Sequence, residues 1–213
     1  MYSLYQTAIN EHSQSLCLNM IVKNEVPVIR RCLNSVRPVI DCWVIVDTGS
    51  SDGTQDVIRR HLSDLPGELI ERPWVDFAHN RSEAVALARG RADYVFVIDA
   101  DETLEIPARF KMPRLTADSY NLEVRFGTFT YARKQLLRNS LPWRYEASSM
   151  STPVVTRPVA RSSFPVCGWL RTATALAPET RRPSFTTSRR LKGCFATSRT
   201  TLATSFISPR RIS

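Results

Sequence analysis

The sequence predicts an α/β fold: a mostly parallel sheet with helices on both sides. Three observations carry this. Strand-like apolar runs alternate with segments of helical period through residues 15–146. Tyr94 to Ile98 is an unbroken apolar run ending at Asp99, as a central parallel strand covered on both faces requires. Three predicted strands run into polar clusters, the place where open parallel sheets bind ligands.

Taken in order, Ser15 to Val22 reads as the first strand and is followed by Lys23, Asn24 and Glu25. Val28, Ile29, Cys32, Leu33 and Val36 recur at helical spacing. Cys42 to Val46 is a short β-branched strand that ends at Asp47, Thr48, Gly49 and Ser50, where Gly and Ser signal a turn. Ser51 is the expected N-cap of a helix carrying Val57, Ile58 and Leu62. Glu68 to Glu71 follows as a strand, and Asn80 to Arg89 as a helix with Ala84, Leu87 and Ala88 on one face. Beyond the Asp99, Ala100, Asp101, Glu102 cluster, Ser119 to Phe126 and Thr128 to Ala132 read as antiparallel strands turning near Gly127. Residues 1–14 are expected to be an N-terminal extension, residues 15–146 the domain and residues 147–213 an irregular or disordered tail.

Charge divides the chain at the same place. Residues 1–146 hold 18 Lys and Arg against 19 Asp and Glu, whereas residues 147–213 hold 11 against one, Glu179. Ser and Thr supply 22 of those last 67 residues, and Asp, Asn, Gln, His and Tyr are absent from them. Those five, with Glu and Lys, are the amino acids whose codons carry adenine in the middle position. Residues 1–146 contain 42 of the seven types, and the tail only Glu179 and Lys192. Surface chemistry gives no reason to remove acids, bases, amides and an aromatic together, whereas a shift of reading frame near residue 147 removes them all. The alternative is a genuine Ser/Thr/Arg/Pro-rich basic tail, disordered or bound to an acidic partner.

Other classes are excluded early. No apolar run approaches the ~18 residues of a membrane span. The first residues lack the basic start and apolar stretch of an export signal, so a cytoplasmic location is expected, with the inner face of the membrane as a further option. Cys17, Cys32, Cys42, Cys167 and Cys194 form no CxxC pair, which argues against a disulfide framework or zinc module. Neither GxGxxG nor GxxxxGK[ST] occurs, so a nucleotide would be held by carboxylates and a metal rather than a glycine cradle.

Asp99 and Asp101 are the sharpest pair. If the chain stays extended past Ile98, residues two apart point the same way, and two oxygen donors at a cleft suit Mg²⁺ or Mn²⁺ with its phosphate ligands. The plainer alternative is a solvated turn or a helix cap. Asp47 either accepts from the ring N–H of a pyrimidine base or merely shapes its loop. Arg81 either touches phosphate or is simply exposed.

The segments Leu18 to Glu25 (LNMIVKNE), Val46 to Thr54 (VDTGSSDGT) and Val97 to Glu102 (VIDADE), in this order and spacing, resemble the start of the family 2 glycosyltransferases, which have the GT-A fold. The branch most similar includes bacterial enzymes that glycosylate lipopolysaccharide core or peptides. The resemblance covers roughly residues 15–146 and implies inverting transfer from a nucleotide sugar, UDP-linked, to a glycan, lipid-linked glycan or peptide. It implies base recognition by Asp47 and a divalent metal, Mn²⁺ or Mg²⁺, at Asp99 and Asp101. Asn24, Glu25, Ser50 and Arg81 join Asp47 as candidate donor contacts. Many members carry a second Asp where this chain has Thr48. After Trp143, Arg144, Tyr145 and Glu146 the branch continues with Gly and then a His-Glu pair; here Ala147 and a Ser-rich run follow. Glu146 is the candidate catalytic base, being the acid nearest the acceptor segment, with an ordinary exposed residue as the alternative. Lacking the acceptor half, the chain is expected to bind donor while transferring poorly; a binding module without catalysis and a nucleic-acid binder working through the basic tail are the other classes, with no nucleic acid expected.

Overall fold

The computed structural model describes residues 14–146, 149–155 and 171–174. All belong to one compact unit. Strands β1 (Leu16–Val22), β2 (Cys42–Asp47), β3 (Gly67–Glu71) and β4 (Tyr94–Val97) alternate with helices α1 (Ile29–Val36), α2 (Thr54–His61) and α3 (Phe77–Leu87). Then come β5 (Glu102–Glu105), β6 (Ser119–Phe126), β7 (Phe129–Arg138), β8 (Trp143–Glu146), β9 (Ser149–Val155) and β10 (Arg171–Thr174). One eight-stranded sheet has the order β3-β2-β1-β4-β7-β6-β10-β5, and β8 pairs with β9 separately. The first four strands are parallel, while β7 joins β4 and β6 antiparallel. The α/β expectation is met.

Apolar alternation places a core on each face of the sheet. Leu16, Leu18, Met20 and Val22 of β1, with Trp43, Ile45, Tyr94 and Phe96, pack against Ile29, Leu33 and Ile58 from α1 and α2. The intervening Cys17, Val44, Val95 and Val97 pack against Val85 of α3 and Trp143 of β8. Each fully buried aliphatic side chain contributes roughly 1.5–3 kcal/mol. Asn19 is the polar exception in β1; its Nδ2 donates to the Val44 and Ala84 carbonyls at 3.0 and 2.9 Å, which compensates its burial and ties α3 to the sheet. Gly67 lets β3 approach the Trp43 indole, where a Cβ would stand 2.3 Å from the ring. Cys17, Cys32 and Cys42 are free thiols.

The departures from expectation are local. Helix α2 begins at Thr54 after Gly53, so Ser51 is not its cap; the Ser51 N–H instead donates to Asn24 Oδ1. Helix α3 begins at Phe77, capped by the Asp76 side chain, which accepts from the His79 N–H. The β6–β7 hairpin turns at Gly127 as expected, with φ +57°, but β7 runs on to Arg138. Paired structure continues past residue 146 in β9 and β10, where the composition shows no periodic pattern; Thr172 of β10 is buried and donates to Gln135 Oε1. The rest of the expected tail, the extension through residue 13 and most of the Arg-rich stretch lie outside the described residues. Among the described residues no helix is long and apolar enough to cross a membrane.

Candidate functional site

Two loops at the carboxyl ends of β1 and β2 lock together. The Asn24 N–H donates to Ser50 Oγ at 2.9 Å, and Asn24 Oδ1 accepts from the Ser51 N–H at 2.8 Å. The Glu25 N–H donates to Thr54 Oγ1 and the Val26 N–H to Asp52 Oδ2. Asn24 sits at φ +57°, a left-handed conformation that Asn tolerates better than most residues. Asn24 and Ser50 are thus braces between the loops.

Asp47 closes β2 and is 1% exposed. Its Oδ2 accepts from the Gly49 N–H at 3.0 Å, the Ser50 N–H at 2.9 Å and Gln55 Nε2 at 3.0 Å. Its Oδ1 is buried and has no partner among the described residues. A buried acceptor left unmade costs ~1–3 kcal/mol, so this oxygen stands out as one a ligand could satisfy.

The Asp99 cluster lies at the end of β4. The chain does not stay extended there: the Glu102 N–H donates to the Asp99 carbonyl at 3.0 Å, closing a turn, so Asp99 and Asp101 do not alternate along a strand. Asp99 is instead gripped by two guanidinium groups, Arg81 at Oδ1 and Arg133 at Oδ2, the latter at 3.1 Å. Burial alone would raise the Asp99 carboxyl, but the two arginines outweigh it and hold it below its usual value. Arg81 is neither exposed nor free: it lies under the Tyr145 ring, 5.8 Å from the centroid. Arg133 also pairs with Glu102, which burial pushes up to about 7 against the pull of Arg133. The Asp101 carboxylate has no ion-pair partner among the described residues, while its carbonyl accepts from Arg31 Nη2 at 2.9 Å. Burial and the Asp99 charge raise its carboxyl.

Glu25 completes the acidic side. Burial, followed by the charges of Asp101, Asp99 and Asp52, pushes it up to about 7. Since 7 is above its ordinary 4.5, the folded protein holds an extra proton in that interval, and this contribution to stability is lost as pH rises through about 7. Glu25→Gln is therefore expected to leave the melting temperature nearly unchanged at pH 5 and to raise it at pH 8. Thermal denaturation at both values checks this, and an equal shift at both would contradict it.

Glu146 stands apart. The side chains of β8 alternate, with Trp143 and Tyr145 buried and Arg144 and Glu146 exposed, and Glu146 pairs with Arg144 at 2.9 Å. It therefore points away from the side on which Tyr145 meets Arg81. Glu102 belongs to the acidic cluster that the sequence places on this rim, whereas Arg133 and Gln55 were not expected as members of the site. Gln55 had a signal in its place one turn beyond the Asp47 loop; Arg133 had none, since only strand pairing brings it to Asp99.

The profile of glycosyl transferase family 2 matches residues 17–141. The chain belongs to this family. A TPR repeat-containing protein of Synechococcus elongatus is 33% identical over 141 residues, covering 62% of this chain and 33% of that protein. The lipopolysaccharide core biosynthesis glycosyltransferase LpsC of Rhizobium meliloti is 32% identical over 101 residues, covering 47% and 36%. The family 2 chain thus spans about a third of the length of these two relatives. Among solved structures, S. aureus TarS in complex with UDP is 19% identical over 43% of this chain and 28% of that one, with a TM-score of 0.37.

Proposed function

We propose that this family 2 domain binds a uridine diphosphate sugar as the donor of a glycosyl transfer, with Asp47 reading the base. The carrying observation is the unpartnered Asp47 Oδ1. Three donors fix Oδ2 and so fix the carboxylate plane, which leaves Oδ1 as a preset acceptor. Uracil offers N3–H as its complement; cytosine offers only a lone pair at N3. Because Oδ1 is buried, a bond from a base to it is desolvated and correspondingly selective.

The residues beside it fit a hard divalent ion, Mn²⁺ or Mg²⁺. Asp101 supplies a carboxylate free of ion pairs among the described residues, in surroundings acidic enough to raise it and Glu25. Among the described residues no three His, Cys, Asp or Glu side chains form a metal cage, so an ion here would be held by one or two carboxylates together with substrate phosphate. When bound, such an ion lowers the charge cost of a departing diphosphate. In this reading Asp99, expected as a second ligand, is engaged by Arg81 and Arg133 and orients the turn that presents Asp101. Asn24 and Ser50 hold the loops, and Glu25 lines the acidic side. Direct displacement with inversion at the anomeric carbon is the reaction proposed, and Glu146 has no part in it.

Isothermal calorimetry with UDP, with and without Mn²⁺, tests the donor site. Chelation and Asp101→Asn are each expected to weaken binding by about tenfold or more, since charge-assisted contacts are worth ~1.5–3 kcal/mol. UDP affinity indifferent to both would overturn the metal assignment.

A further inference from the structure

The β6–β7 hairpin projects beyond the rim on which Asp47 and Asp99 lie. β4 pairs with β7 as Tyr94 with Arg138, Val95 with Leu137 and Phe96 with Leu136. That register, carried outward, brings Arg133 level with Asp99, and the 3.1 Å contact between them agrees. Four residues further out, about 13 Å along a strand, lies Phe129. Phe129, Tyr131 and Arg133 alternate and so share one face, and Phe129 pairs across the hairpin with Phe126.

This face is unusual in what it exposes. Phe129 is 73% exposed, Tyr131 47% and Phe126 46%, three of the four large hydrophobic side chains exposed among the described residues. The rings lead inward along this face, through Tyr131, to Arg133 and the Asp99 cluster. Exposed apolar patches of this kind mark binding surfaces. A pyranose matches it: its axial C–H face is apolar and stacks on an aromatic ring, while its rim of hydroxyls meets the tyrosine hydroxyl and the guanidinium group.

We propose that Phe126, Phe129 and Tyr131 form a platform on which the acceptor's sugar ring stacks, delivering its hydroxyl toward the Asp99 end of the site. This rests on the donor reading above and names the acceptor as a carbohydrate rather than a peptide. Continuity of the aromatic face with Arg133 argues for a ligand that spans both. On its other side β6 pairs with β10, Phe126 opposite Thr174, so the rings stand on the same sheet that carries the site.

Saturation-transfer NMR on the 213-residue chain, with maltotetraose and chitotetraose as probes, tests the platform, with UDP calorimetry run on the same samples. Saturation is expected on the ring protons of at least one probe, with affinity falling about tenfold in a Phe129→Ser, Tyr131→Ser double variant while UDP affinity holds. Phe129→Trp should retain the saccharide signal, which separates loss of stacking from loss of fold. UDP binding without saccharide saturation, or saturation unchanged in the double variant, overturns the platform and leaves the donor reading intact. Sedimentation with anionic vesicles that is lost in the double variant, without saccharide saturation, would make the hairpin a membrane contact and also overturn it. Failure of the unsubstituted chain to bind UDP removes the donor reading and the platform with it.

Discussion

Asp47→Asn is expected to weaken UDP binding by ~10²-fold and to turn the preference toward CDP. The direction follows from the fixed half of the carboxylate. Gly49, Ser50 and Gln55 all donate to Oδ2, so in the variant the amide oxygen keeps that place and the NH₂ group is forced into the position of Oδ1. An acceptor becomes a donor. It then opposes the N–H of uracil and complements the bare N3 of cytosine. Calorimetry with UDP and CDP on both proteins reads the change, and a uniform loss for the two nucleotides would contradict it, since that outcome belongs to a collapsed loop.

The second large effect is on stability. Arg133→Ala should lower the melting temperature by about 10 °C at pH 8, because it strands two carboxylates at once: Glu102, whose side chain is 2% exposed, and one oxygen of Asp99. Breaking a buried pair by removing one partner costs ~3–5 kcal/mol. The loss should shrink at pH 5.5, since burial pushes the Glu102 carboxyl up to about 7 and the group can shed its charge by taking a proton. Arg133→Lys should restore part of the stability by returning a cation without the fork that reaches both acids. Melting curves at the two pH values decide it, and a loss independent of pH would point to packing rather than charge.

How far the sequence reveals this domain depends on how local each feature is. β1, β2 and β4 are central parallel strands, apolar on both faces, and such runs stand out without any partner in view. The three motif segments were legible because each follows one of these strands directly. β5, β8 and β10 are four-residue strands whose identity comes from distant partners, as when Thr172 aligns with Leu104 and Val124. No local period announces them. Helix α3 was read three residues short because its cap, Asp76, stands just after Pro73 and Trp74 in a stretch without helical period. At the site, the acids were visible as residues, but their division of labour was not. Asp99 became an arginine-held anchor only because antiparallel pairing of β7 supplies Arg133 from 34 positions away. The unpartnered oxygen of Asp47 was likewise invisible, since it depends on three donors all choosing the other oxygen. Glu146 illustrates the reverse case: proximity in sequence suggested a base, and strand alternation turned it outward.

The most direct test of base recognition compares UDP with its 3-methyluridine analogue, identical except that the N3–H is replaced by a methyl group. Titrated calorimetrically into the unsubstituted chain under one metal concentration, UDP should bind at least ~10²-fold more tightly, because the analogue loses the bond to Asp47 Oδ1 and adds a clash there. Equal affinity for the two would mean that the buried oxygen does not read the base, and the donor assignment built on it would fall.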